Sequence, residues 1–96
     1  MTERHRVRCI KRADSDSPEE RVARIGGTNS VGVNWRLTQA EAIFAIEARR
    51  WDFYVQGPTG RRLDLIVATT TSGSKYLKTS ADDAEPSHLL ALPDCG

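Results

Sequence analysis

No stretch of this sequence approaches the ~20 consecutive apolar residues that a membrane-crossing helix needs. The amino-terminal segment 1–12 also lacks the apolar core of a secretory signal. Together these absences predict a cytoplasmic protein with no membrane partner. Excess charge of one sign is missing too: 14 Lys and Arg face 13 Asp and Glu, for a net charge of +1. A dedicated nucleic-acid binder is usually strongly basic, so this balance counts against that class. Cysteine is scarce, with only Cys9 and Cys95. Two cysteines fall short of a disulfide scaffold. In a reducing cytoplasm the expectation is two small apolar core residues rather than a bridge. A bridge between them would close a very long loop, worth roughly 4–5 kcal/mol in the chain-entropy model. Internal repeats and low-complexity tracts are absent. What is present is 96 residues, 39% hydrophobic and 28% charged. That is enough for one small globular domain over 1–96, with looser ends at 1–4 and 94–96.

Arg6 to Lys11 reads as a first strand, with Val7 and Cys9 on one face and Arg4, Arg6, Arg8 and Ile10 on the other. Ser17-Pro18-Glu19-Glu20 is a helix start: a capping serine, a proline at the first helical position and a glutamate that completes a capping box. Val22 and Ile25 give that short helix an apolar stripe, and Gly26-Gly27 supplies a stop. The alternation from Arg21 to Ile25 keeps an extended segment open as the other reading. Residues 26–34 form a polar, glycine-containing loop. Thr38-Gln39-Ala40-Glu41 is a second capping box, opening a main helix from Gln39 to Arg49 with Ala42, Ile43 and Ile46 inward.

Three strands follow, at Trp51–Gln56, Arg62–Thr70 and Lys75–Thr79, separated by Gly57-Pro58-Thr59-Gly60 and by residues 71–74. They read as an antiparallel meander. Leu89, Leu90, Leu92 and Pro93 make an apolar tail that should dock on the body. The expected fold is α+β: an antiparallel sheet of three to four strands, one main helix packed on one face, and a short helix before it. The first strand pairs with the meander.

Ile25-Gly26-Gly27, Trp35-x-Leu37-Thr38, Glu41-Ala42-Ile43, Phe53-Tyr54-Val55, Tyr76-Leu77-Lys78-Thr79 and Leu89-Leu90-x-Leu92-Pro93-x-Cys95 stand in order along the chain. This series resembles a family of small bacterial proteins, the domain of unknown function numbered three-eight-nine-two. The resemblance spans nearly the whole chain. It implies a single domain and carries no activity. Family members often have an Asn-rich approach to the leucine pair, where this chain has Ser87-His88.

Few residues form constellations that carry chemistry. His5, Cys9, His88 and Cys95 are zinc-competent, but His5 and Cys9 on one strand would stand about 13 Å apart, too far for one zinc. Gly26-Gly27 is glycine-rich, yet a phosphate cradle needs a helix start rather than a helix stop. Ser87, His88 and Asp94 lack a nucleophile elbow. Asp82, Asp83 and Glu85 lack the calcium-loop pattern. Trp35, Trp51 and Tyr54 are capable of stacking on bases, although aromatics at strand positions usually belong to the core.

Two surface features remain. Arg4, Arg6, Arg8 and Arg12 would line up on one exposed strand face, suited to phosphates or an acidic partner, or merely guarding a sheet edge. Tyr76 and Lys78 would share an exposed face as a ligand patch, or as plain sheet surface. The expectation is a non-catalytic interaction or accessory module with an unknown protein partner. It is a monomer or weak dimer, with no catalytic residue, metal or cofactor. The alternative is weak nucleic-acid or anion binding through the arginine stripe.

Overall fold

The protein is described by a computed structural model covering residues 3–14, 18–29, 31–57, 60–82 and 87–95. Ten elements follow one another: β1 (Glu3–Arg6), β2 (Cys9–Arg12), α1 (Pro18–Arg21), β3 (Val22–Thr28), β4 (Asn34–Thr38), α2 (Gln39–Glu47), β5 (Trp51–Gln56), β6 (Arg62–Thr69), β7 (Lys75–Thr79) and α3 (Ser87–Leu90). The expected meander is β5-β6-β7, antiparallel throughout. β1 extends it to the four-stranded order β1-β5-β6-β7, but lies parallel to β5, so this sheet is mixed. A second, three-stranded antiparallel sheet, β2-β3-β4, was not foreseen.

The expected first strand is in fact two strands. Val7 and Ile10 are both fully buried, and a single flat strand cannot point residues three apart to the same side. The chain twists between them. The Val7 N–H donates to the Tyr54 carbonyl in one sheet (2.8 Å), and the next N–H, of Arg8, donates to the Gly26 carbonyl in the other (2.9 Å).

Val22 and Ile25, whose spacing suggested a helix stripe, lie in β3, so the extended reading holds and α1 ends at Arg21. Lys11 faces Arg24 and Arg12 faces Val22, which leaves Ala23 as an extra residue. This bulge turns both Val22 and Ile25 inward, and it mimics helical spacing. The capping serine, Ser17, lies outside the described residues.

Gly26 and Gly27 are strand residues rather than a helix stop. A Cβ on Gly27 would stand 2.3 Å from the Arg6 carbonyl oxygen and 3.0 Å from the Trp35 ring. The two sheets meet here, and only a bare backbone allows them to.

The second capping box forms as expected: the Glu41 N–H donates to Thr38 Oγ1 (3.1 Å) and the Thr38 N–H to Glu41 Oε1 (2.9 Å). α2 stops at Glu47 rather than Arg49 because Arg49 takes a left-handed conformation, φ 57°. The Arg49 N–H then reaches the Ile46 carbonyl and the Arg50 N–H the Ala45 carbonyl, the paired bonds of a Schellman ending. Ala42, Ile43 and Ala45 bury α2 against strands of both sheets. Leu89 of α3 is fully buried in the same contiguous core as Phe53, Leu77, Ile10 and Ile25.

The ends are tied in where they are described. Glu3 and Arg4 belong to β1, the Ile10 N–H donates to the Pro93 carbonyl (3.0 Å), and the Cys95 N–H donates to the Ile10 carbonyl (3.0 Å).

Candidate anion-binding face

The arginine stripe does not assemble, because the twist at residues 7–8 sends its members to different places. Arg4 pairs with Asp64 and lies over the Tyr54 ring, 5.5 Å from its centroid. Arg6 is half-buried, and its Nε is enclosed with no hydrogen-bond partner among the described residues. Arg12 reaches across to the tail and donates to the carbonyl oxygens of Leu90 and Leu92, the latter at 2.7 Å. It is a clasp on the docked tail. Arg4 lines a depression on the β1-β5-β6-β7 sheet that also holds Asp52 and Asp64, whereas Arg8 lines a separate, open depression on the β2-β3-β4 sheet.

That depression, about 250 Å³, lies on the outer face of the β2-β3-β4 sheet. Arg8, Arg36, Asp94, Cys9 and Cys95 help to line it. A second depression of about 320 Å³ shares Arg36 and Cys95 with the first and adds Lys11 and Arg24. Strand register produces this gathering: Cys9, Gly26 and Arg36 are cross-strand neighbours, and Lys11, Arg24 and Thr38 form the next row on the same face. Lys11 and Arg24 stand directly opposite one another, an arrangement of like charges that weakens a sheet. Counter-charge is sparse. Lys11 Nζ lies 3.7 Å from Asp94 Oδ2. The backbone and hydroxyl of Thr38, and to a lesser degree the Arg24 guanidinium, hold the Glu41 carboxyl below its ordinary pKa. The two depressions thus have four cations and one carboxylate in their walls. Such a surface can hold a phosphate, sulfate or carboxylate through guanidinium hydrogen bonds.

The cysteines are joined, contrary to expectation. Cys9 and Cys95 form a disulfide with Cα atoms 4.9 Å apart. Backbone pairing of residues 93–95 with β2 brings the two ends within bridging distance, which neither composition nor sequence spacing revealed. The Arg36 guanidinium donates to the Cys95 carbonyl at 3.0 Å.

The zinc-competent residues are dispersed by this arrangement. His5 packs in an aromatic cluster, 4.6 Å from Trp51 and 5.5 Å from Trp35 between ring centroids. Trp35 and Trp51 therefore serve the seam between the sheets, with Phe53 beside them. Tyr54 lies between Arg4 and Arg62.

Tyr76 and Lys78 do not form an exposed patch. Tyr76 is buried, and half-buried Lys78 donates to the Asp82 carbonyl at 3.3 Å. Beside them is a carboxylate whose role the sequence did not reveal. The Asp82 side chain is 1% exposed. It accepts hydrogen bonds from the Thr79 N–H (3.0 Å), the His88 N–H (3.2 Å) and His88 Nδ1 (2.5 Å). Burial pushes its pKa up, but the bonds from the His88 ring, from the backbone N–H groups of Thr79 and His88, and from the Thr79 hydroxyl together hold it below the ordinary value. This anchor fastens the start of α3 to the end of β7. The other members of the acidic trio, Asp83 and Glu85, lie outside the described residues, as does the Ser87 side chain.

Taken together, the structure is a small, mostly β protein of α+β class with a cationic sheet face, and no helix among the described residues is long and apolar enough to cross a membrane. The chain belongs to the family of proteins of unknown function DUF3892, whose profile matches residues 6–93. No curated protein and no solved structure matches it.

Proposed function

We propose that the chain is a non-catalytic interaction module that holds an anionic group of a partner on the outer face of its β2-β3-β4 sheet. The observation that supports this is the convergence of Arg8, Lys11, Arg24 and Arg36 on two adjoining depressions with one carboxylate in their walls. Lys11 opposite Arg24 weakens the sheet, and a bound anion offsets the repulsion. The face takes the role expected of the arginine stripe, keeping Arg8 and adding Lys11, Arg24 and Arg36 in place of Arg4, Arg6 and Arg12. An acidic protein segment matches the small net charge of the chain better than a long nucleic acid does. The module acts in the cytoplasm as a monomer or weak dimer.

Titration with inorganic phosphate, followed by NMR of backbone amides, tests the reading. Shifts should concentrate at residues 8, 11, 24 and 36 and fade as salt rises. The double variant Arg24→Gln with Arg36→Gln should bind about tenfold or more weakly, since hydrogen bonds to charged groups contribute about 1.5–3 kcal/mol each. Shifts spread evenly over the surface, or unaffected by the double variant, would reject it. A short duplex that bound with the same residues and a steep salt slope would move the assignment to nucleic acid.

A further inference from the structure

The Cys9–Cys95 disulfide lies within the cationic face rather than in the core. Both cysteines are only partly buried; both line the first depression, and Cys95 also lines the second. The bond packs directly over Gly26, where a Cβ would stand 3.1 Å from each sulfur, on the same sheet face as Arg36.

We propose that this is an exchangeable disulfide, opened by small thiols that carry a carboxylate. The inference rests on the proposed anion site in that the same cations attract the thiol. The attacking thiolate bonds to the sulfur of Cys95, the one that lines both depressions. The Cys9–Cys95 bond breaks, and its electron pair leaves on the Cys9 sulfur as a thiolate. A second thiolate attacks the sulfur of the small thiol in the mixed disulfide, releasing the Cys95 thiolate and the oxidised thiol. Two small thiols lose two electrons, the protein gains them, and solvent protonates the cysteine thiolates in proportion to their pKa values. Attacking and leaving groups are all anions, so Arg8, Lys11, Arg24 and Arg36 favour each step.

Opening the bridge leaves the tail in place. The reciprocal backbone bonds of Ile10 with Pro93 and Cys95, the Arg12 clasp and the buried Leu89 side chain are independent of it. The two sulfurs therefore stay adjacent and can close again. A bridge with these properties fits a reducing compartment, where a fixed structural disulfide would be unusual.

The test treats the oxidised full chain with mercaptoacetate, 2-mercaptoethanol and cysteamine, which are anionic, neutral and cationic. Each rate of protein-thiol release is normalised to the same reagent's rate with a small neutral disulfide. Mercaptoacetate should exceed cysteamine by about tenfold or more at ~0.01 M ionic strength, and the gap should close near ~1 M. Arg24→Gln with Arg36→Gln should shrink the preference while circular dichroism stays that of the native fold. Equal normalised rates for the three reagents, or a bond that opens only in denaturant, would overturn the inference. Phosphate titration of the same sample separates the two readings. Binding without thiol preference removes only the exchange chemistry, and thiol preference without binding removes only the partner-anchoring role.

Discussion

Asp82 carries a prediction that can be worked from its contacts. The carboxylate is almost wholly enclosed and accepts from two backbone N–H groups and one imidazole. Asp82→Ala removes all three acceptor contacts and leaves the Thr79 N–H, in a residue with no exposure, without its partner. A buried donor left unsatisfied costs about 1–3 kcal/mol, and releasing the start of α3 adds to that. The expected loss is about 2–4 kcal/mol, a large share of the stability of a domain this size. Asp82→Asn keeps one carbonyl acceptor and should lose roughly half as much.

The sign of the pH dependence follows from the same bonds. The folded-state pKa lies below the ordinary value of 3.8, so the contribution is fully present above that value. It is lost as pH falls through the lower, folded-state pKa. Urea unfolding followed by the fluorescence of Trp35 and Trp51, repeated from neutral pH down to about pH 2, measures both effects. Below the window the wild type should approach Asp82→Ala. A variant within about 0.5 kcal/mol of wild type at neutral pH, or a constant gap between the two across the acid range, would refute the anchor.

Two backbone positions give further expectations. Gly27→Ala places a methyl group 2.3 Å from the Arg6 carbonyl oxygen, so the sheets must part at their seam. Thermal unfolding should show a loss of about 3 kcal/mol or more, at the severe end for a single substitution. Arg49→Gly should act the other way, because glycine takes the left-handed ending of α2 without steric cost. A gain of about 0.5–1 kcal/mol in denaturant midpoint experiments is expected, and a loss would mean that the Arg49 side chain matters more than its backbone.

How much of this was legible in the sequence depends on whether a residue's partner is near it in the chain. The α2 capping box, the two glycine turns at Gly60 and Gly73, and the β5-β6-β7 meander are local, and their signals were readable. Val22 and Ile25 were ambiguous because a bulge and a helical turn give the same spacing. Gly26-Gly27 reads as a helix stop, but a glycine pair has that meaning only when nothing distant needs the space. Here the Arg6 backbone, the Trp35 ring and the disulfide need it. A compartment argument points away from the disulfide, while the deciding fact, pairing of residues 93–95 with β2, is tertiary.

The candidate site shows the same limit in a sharper form. The arginine stripe was the strongest charge pattern in the chain, and it fails because strand alternation holds only while a strand stays in one sheet. Val7 bonds to β5 and Arg8 to β3, so Arg4 and Arg6 are carried to one sheet and Arg8 and Arg12 to the other. Arg24 and Arg36 form no charge pattern in the sequence, since each sits singly among apolar neighbours. Cross-strand register, rather than sequence proximity, puts them beside Lys11. Charge that converges through register comes from segments whose alternation must also serve the core. Ile25 and Leu37 point inward from between the cations that point out, so the fold and the candidate anion site are specified by alternate residues of the same strands.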